Sequence, residues 1–256
     1  MSIIMTGLID APLTTLFACA AALVAGGLVK GVTGIGLPLV AMPILVTVIP
    51  VPQAIALLSV PSMATSAWQS FHGGYFIASA RRLWLLVAGI ALGVAVSVRM
   101  LLVIDVRLLY LLLGLFIVAY STIFHYRVAF AVPLRHEPWL APVTGFVSGL
   151  IGGVSMLFGP VYAIYLSGLR LRKDFFVAAV SLANLCAAGF LTIALAGHKV
   201  VAGTDFAASL VATLPVAAGL VLGQQLRTRI NEELFRKALA VVLFLIGANL
   251  IRRALF

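Results

Sequence analysis

Charge is what this chain has least of. Of its 256 residues, 9% are charged and seven are acidic. Soluble domains carry about 25% charged residues, so this chain cannot clothe a folded surface in polar groups. With a hydrophobic fraction of 63% and a mean hydropathy of +1.21, the shortage excludes a soluble domain and implies a polytopic membrane protein. The acids, Asp10, Asp105, Glu137, Asp174, Asp205, Glu232 and Glu233, all lie at the ends of apolar segments. No carboxylate is therefore expected mid-membrane. A proton-coupled mechanism would need the substrate itself, Lys30 or an end-lying acid. Cysteine is scarce as well. Cys19 and Cys186 both sit in apolar runs and read as packing residues rather than a disulfide or metal pair. His72, His125, His136 and His198 fall in loops without metal spacing. There is no P-loop motif, and GVTGIG and GLIGGV lack the GxGxxG order, so no nucleotide site is expected. No nucleophile–base pair stands within the apolar runs, so neither an enzyme nor a cofactor is implied. No basic stretch precedes the first apolar run, so a cleavable signal peptide is not expected.

What is present is basic charge at the edges of apolar segments. The net charge is +10. Arg81-Arg82, Arg170/Arg172/Lys173, Arg227/Arg229 and Arg252-Arg253 all flank hydrophobic runs, which points to lipid headgroups rather than nucleic acid. Ten apolar segments can be drawn, at roughly 12–30, 33–49, 53–71, 83–103, 107–125, 138–150, 153–168, 174–196, 206–226 and 232–251. The polar stretch 127–138 divides them into two membrane repeats, residues 1–130 and 138–256, within one transmembrane domain. Gly27, Gly31 and Gly34 match Gly145, Gly149 and Gly152 at an offset of 118; Gly93 matches Gly219 at an offset of 126. Each half then holds five segments. An odd number of crossings turns the second half upside down relative to the first, and this survives if the first pair of each half re-enters without crossing. The fold class is thus an all-α integral membrane protein of two inverted repeats with short Gly-rich broken or re-entrant helix pairs. With the loops numbered from the N-terminal side, eleven basic residues fall on the far side and five on the near side. The far side is therefore cytoplasmic, and both termini are expected outside the cytoplasm.

The stretch GGLVKGVTGIGLPLVAMPIL, residues 26–45, holds helix breakers and a lysine inside an apolar run. Lipid cannot satisfy open backbone groups, so a broken helix is tolerated only against protein or a water-filled cavity. A helix starting inside the membrane presents free N–H groups and partial positive charge, and two such ends facing each other make an anion site. The first turn is assigned to Gly31, Gly34 and Gly36, with Pro38 in the first turn of the following helix. The partner turn is assigned to Gly149, Gly152 and Gly153. Close helix packing is the competing role for any one of these glycines. Lys30 either holds an anion as a point charge or snorkels to the interface. Thr33, Ser155 and Asn184 complete the candidate substrate-binding set; Gln69 and Ser181 are among further polar groups that can line a pathway.

These glycine-rich stretches, the second reading GFVSGLIGGVSMLFGPVYAIYL, resemble the sulfite exporter TauE/SafE family of bacterial membrane proteins. The later blocks GIALGVAVSVRMLLVIDVRLLYLLLG and GLVLGQQLRTRINEELFRKALAVVL resemble that family's helix-turn-helix repeat. The resemblance implies an inner-membrane secondary carrier of small sulfur-containing anions, such as sulfite or organosulfonates like sulfoacetate. An anion channel, or a carrier of another small organic anion on the same scaffold, is the alternative. The implied partners are a small anionic substrate and membrane lipid. Homo-oligomerisation is left open.

Overall fold

A computed structural model describes residues 12–34, 36–72, 74–101, 103–126, 132–197, 203–226 and 232–255. Regular structure among them is helical throughout. In chain order the α-helices are α1 (Leu13–Thr33), α2 (Leu37–Leu45), α3 (Val51–Phe71), α4 (Phe76–Leu101), α5 (Val106–Tyr126), α6 (Glu137–Ser155), α7 (Gly159–Gly168), α8 (Lys173–Gly197), α9 (Gly203–Leu226) and α10 (Glu232–Leu255). Prolines mark several starts: Pro38, Pro52, Pro138 and Pro160 stand in the first turns of α2, α3, α6 and α7, where no intrahelical hydrogen bond is lost. Among the described residues six helices are long and apolar enough to cross a membrane: α1, α4, α5, α8, α9 and α10. α3 is as long as α1 but carries Gln53, Ser59, Ser62, Thr65, Ser66, Gln69 and Ser70; most of it is buried among other helices.

Glycines set the closest helix contacts. A Cβ at Gly27 or Gly31 would strike the α9 backbone at Val216 or Leu220, and one at Gly219 or Gly223 would strike α1 at Val24 or Leu28. The same relation joins α4 to α6 through Gly89, Gly93, Gly145 and Gly149. In both pairs the residue numbers rise together, so the helices run parallel, backbone against backbone, as small-residue interfaces allow. Across the middle, α3 meets α8 through Ser66–Asn184 and Gln69–Ser181, and α5 meets α10 through Gly114–Gly247. On α3 and α8 the numbers run in opposite senses, so those two helices are antiparallel.

The two ends of α4 define the faces of the molecule. At its start, Arg82 grips Glu137 of α6 with two hydrogen bonds, of 2.8 and 2.9 Å. Beyond its end, Ile104 lines a groove with Thr47 and Arg253. α6 and α7 form a hairpin on the Arg82 face, since the Val132 N–H before it donates to the Gly168 carbonyl at its end. α1 and α2 pack as a second hairpin, Gly26 against Leu37 and Ala41, and α2 leads to Thr47, whose carbonyl accepts from Arg253. The first two segments of each half therefore return to the face they came from.

The structural register of the halves differs from the glycine register read in the sequence. α1 ends at Gly34 and α6 at Met156, both left-handed caps and 122 positions apart. Pro38 and Pro160 are also 122 apart. Gly27 on Val216 and Leu220 corresponds to Gly149 on Ile90 and Val94 at that offset, while the later helices correspond at 126. The offset of 118 is thus one helical turn short. It superimposed glycines, whereas the second turn takes its positive φ at a methionine.

α3 contains Pro61, which leaves the Leu57 carbonyl without its intrahelical donor. Ser209 of α9 supplies one: its hydroxyl donates to that carbonyl at 2.9 Å and accepts from the Val60 N–H at 3.0 Å. We expect Ser209→Ala to orphan both groups and to destabilise the protein by about 1–3 kcal/mol for each buried group left unpaired. A thermal unfolding curve in detergent reads this as a lowered midpoint; an unchanged midpoint would show that Ser209 is dispensable to the break.

Candidate functional site

Both hairpin tips end helices inside the protein. Gly34 (φ +80°) closes α1, its N–H donating to the Lys30 carbonyl at 2.8 Å. Gly36 (φ +113°) precedes α2. These two positions need glycine because a side chain is strained at such angles. In the second half Met156 (φ +61°) closes α6 and Phe158 precedes α7. Neither α2 nor α7 has a side-chain cap at its start, so the first-turn donors of both remain available in the interior.

One narrow cavity lies between the tips. Gly34, Gly36 and Leu37 line it from the first half, and Met156, Leu157 and Gly159 from the second; Lys30, Tyr162, Ser181 and Asn184 add the polar groups. The space open to a water molecule's centre is about 20 Å3. That is room for about one water, too little for a solvated anion.

Lys30 is 3% exposed and does not snorkel. Its Nζ donates to Thr65 Oγ1 at 2.9 Å and to Ser66 Oγ at 2.7 Å, both on α3. The Asn184 amide donates to the same Ser66 oxygen at 2.8 Å, and the Tyr162 hydroxyl donates to Asn184 Oδ1 at 3.0 Å. A continuous network thus runs α1–α3–α8–α7, tying both hairpins to the α3–α8 crossing. Among the described residues the ion pairs are Arg82–Glu137 and Lys237–Glu233, and none involves Lys30. Among the described residues the Lys30 nitrogen is held by neutral oxygens, so whenever it carries a proton its charge is unbalanced in a low-dielectric interior.

The halves differ where they touch this charge. Lys30 and Gly36 correspond to Gly152 and Phe158 in the second half. A Cβ at Gly152 would strike the Phe158 ring, which fills space there. One half places a cation beside a bare turn; the other places a bare helix beside a buried ring.

Four of the sequence-selected residues, Lys30, Gly34, Gly36 and Asn184, line the cavity. The others do not. Gly31 and Gly149 pack against α9 and α4, and a side chain at Gly153 would meet Ser97. Thr33 donates to the Val29 carbonyl. The Ser155 hydroxyl donates to the Ile151 carbonyl and accepts from the Leu157 N–H, bracing the second turn. The turn assigned to Gly149, Gly152 and Gly153 in fact begins after them, since all three are helical. The sequence reading did not select Tyr162 or Ser66; Pro160, at the place of Pro38, was the signal that would have located the second helix start. Cys19 and Cys186 are both free thiols.

Comparison with known proteins decides the family. The family model described as sulfite exporter TauE/SafE matches residues 18–250. The chain belongs to that family. No curated protein and no solved structure matches it. As a TauE/SafE member it is a multi-pass membrane protein of a sulfite-exporter type, and both helix breaks and the buried lysine lie inside the matched span.

The left-handed cap at Gly34 gives a direct test. Valine is a strong outlier at positive φ, whereas asparagine tolerates it, and a Cβ there would meet only Val177 at an ordinary 3.5 Å. Gly34→Val is therefore expected to lower the unfolding midpoint clearly more than Gly34→Asn. Equal midpoints for the two variants would show that backbone strain is not what selects glycine at this turn.

Proposed function

We propose that this TauE/SafE member is a secondary transporter that exports small sulfur-containing anions, sulfite or organosulfonates such as sulfoacetate, across the bacterial inner membrane. The observation that carries the reading is the buried Lys30 ammonium without a carboxylate partner, beside two uncapped helix starts. The missing counter-ion is the substrate. Its oxyanion accepts from Lys30, from the amides opening α2 and α7 near Gly34 and Gly36, and from Asn184. Gly31, Gly149 and Gly153 contribute by letting helices pack closely around the site, Gly152 by admitting the Phe158 ring, and Thr33 and Ser155 by bracing the turns.

Two membrane repeats, residues 1–130 and 138–256, form the machine as inverted copies. The antiparallel crossing of the equivalent helices α3 and α8 supports this. So does the opening of the two hairpins on opposite faces. A cavity too narrow for its substrate supports alternating access over a continuously open channel: the hairpins must part to admit the anion. The Arg82 face is cytoplasmic on the excess of basic residues there, which leaves both termini on the other side. An inside-negative potential then drives export, worth about 2.3 kcal/mol per negative charge per 100 mV.

Lys30→Met in proteoliposomes tests the reading. Flux of sulfite and sulfoacetate should fall by at least about tenfold, since a paired buried charge is worth several kcal/mol to its ligand. The unfolding midpoint without substrate should hold or rise, because an apolar group replaces an unbalanced charge. Unchanged flux would remove Lys30 from the site.

A further inference from the structure

The α3–α8 crossing is unequal about the cavity. Towards the Arg82 face two buried polar pairs bond from helix to helix, while Ser70 donates to the Ala67 carbonyl of its own helix. Asn184 donates to Ser66, and Ser181, which lines the cavity, donates to Gln69 at 3.2 Å. Gln69 stands two residues before the end of α3, with 9% of its surface exposed, and His72 just beyond is open to the surroundings. Towards the Arg253 face the hydroxyls turn inward. Ser59 donates to the Ile55 carbonyl and Thr192 to the Ala188 carbonyl of their own helices, and across the crossing the Thr192 hydroxyl meets only the Met63 thioether sulfur, at 3.9 Å. Ile55, Leu58 and Leu191 are fully buried in this largely apolar plug, as is the Ser62 hydroxyl, which has no hydrogen-bond partner among the described residues. From Ser62 to the start of α3 at Val51 this plug runs for eleven residues, about 16 Å of helix at 1.5 Å per residue.

We propose that the polar seam between α3 and α8 is the substrate's route between the cavity and the Arg82 face, and that the Gln69–Ser181 pair is its gate. The proposal rests on the transport reading above and deepens it. Parting one neutral hydrogen bond costs little, because both groups find replacement partners in water or on the anion. Opening the other half means pulling apart a packed apolar layer. In this conformation the site is therefore one thin polar contact away from the Arg82 face and a thick apolar layer away from the other. Ser181 belongs to the cavity wall and Gln69 to the seam, so an anion leaving Lys30 passes from amide and hydroxyl donors on α8 to the Gln69 amide without crossing bare hydrocarbon.

The test uses the full chain carrying Cys19→Ser and Cys186→Ser, in vesicles of known sidedness, with single cysteines introduced as Gln69→Cys, Ser181→Cys, Ser59→Cys or Leu191→Cys. Anion flux is measured first. A charged, membrane-impermeant methanethiosulfonate reagent is then applied to each face. At Gln69→Cys and Ser181→Cys labelling should be at least about tenfold faster from the Arg82 face, because the reactive conformer there is the more populated, and methanesulfonate should slow it. Ser59→Cys and Leu191→Cys should label at least tenfold more slowly from either face. Labelling of Ser59→Cys or Leu191→Cys as fast as Gln69→Cys, or faster labelling of Gln69→Cys from the Arg253 face, overturns the route. Should the Gln69→Cys replacement fail to insert, Ser181→Cys alone carries the same comparison. Absent flux in a vesicle set that shows the expected labelling overturns the transport reading and leaves the seam standing.

Discussion

Everything in this molecule follows from one constraint: a helix that stops inside a membrane must hide its open backbone ends within protein. α1 and α6 each stop short, at Gly34 and Met156, and α2 and α7 start afresh without side-chain caps. The other helices are arranged to shelter those ends. α1 and α6 are held backbone-close to α9 and α4 by glycines on both sides of each contact. The polar, buried α3 crosses α8 directly beside the breaks and supplies hydroxyls and amides that lipid cannot. Even the break within α3 at Pro61 is repaired from a third helix by Ser209.

The two halves are alike in scaffold and unlike in chemistry, and the difference makes the site. The helix pairs that touch in one half have counterparts in the other, and the tips correspond residue for residue at Pro38 and Pro160. Two uncapped helix starts come to one cavity. The exchange of Lys30 and Gly36 for Gly152 and Phe158 then puts a charge on one side and a ring on the other.

Much of the architecture was legible in the sequence. The ten segments drawn from hydropathy correspond one to one with ten helices, because a chain this apolar can be interrupted only at turns. The short second segment and the helix start at Gly36 could be read, and Lys30 and Asn184 could be singled out, because glycine, proline and polar groups are conspicuous in an apolar background. The second turn was not legible in the same way. Its left-handed residue is Met156, which carries no sequence signal for positive φ, and the glycines before it answer to helix packing. Scanning for glycine therefore shifted the repeat by one turn. Ser66 was overlooked because a serine in a membrane helix ordinarily bonds its own backbone; here it is the junction between Lys30 and Asn184.

Composition and patterning by themselves determined that the chain lives in a membrane and that it folds as helices, since these depend on local hydropathy and breaker residues. Only the tertiary structure decided that Lys30 turns inward to Thr65 and Ser66 instead of reaching the interface, and that both helix starts share one cavity. It also decided that the amide and hydroxyl pairs joining α3 to α8, Asn184–Ser66 and Ser181–Gln69, lie towards the Arg82 side of that cavity. The physical reason is that helix crossing and register bring together residues more than 100 positions apart, and no local pattern records which of them will meet.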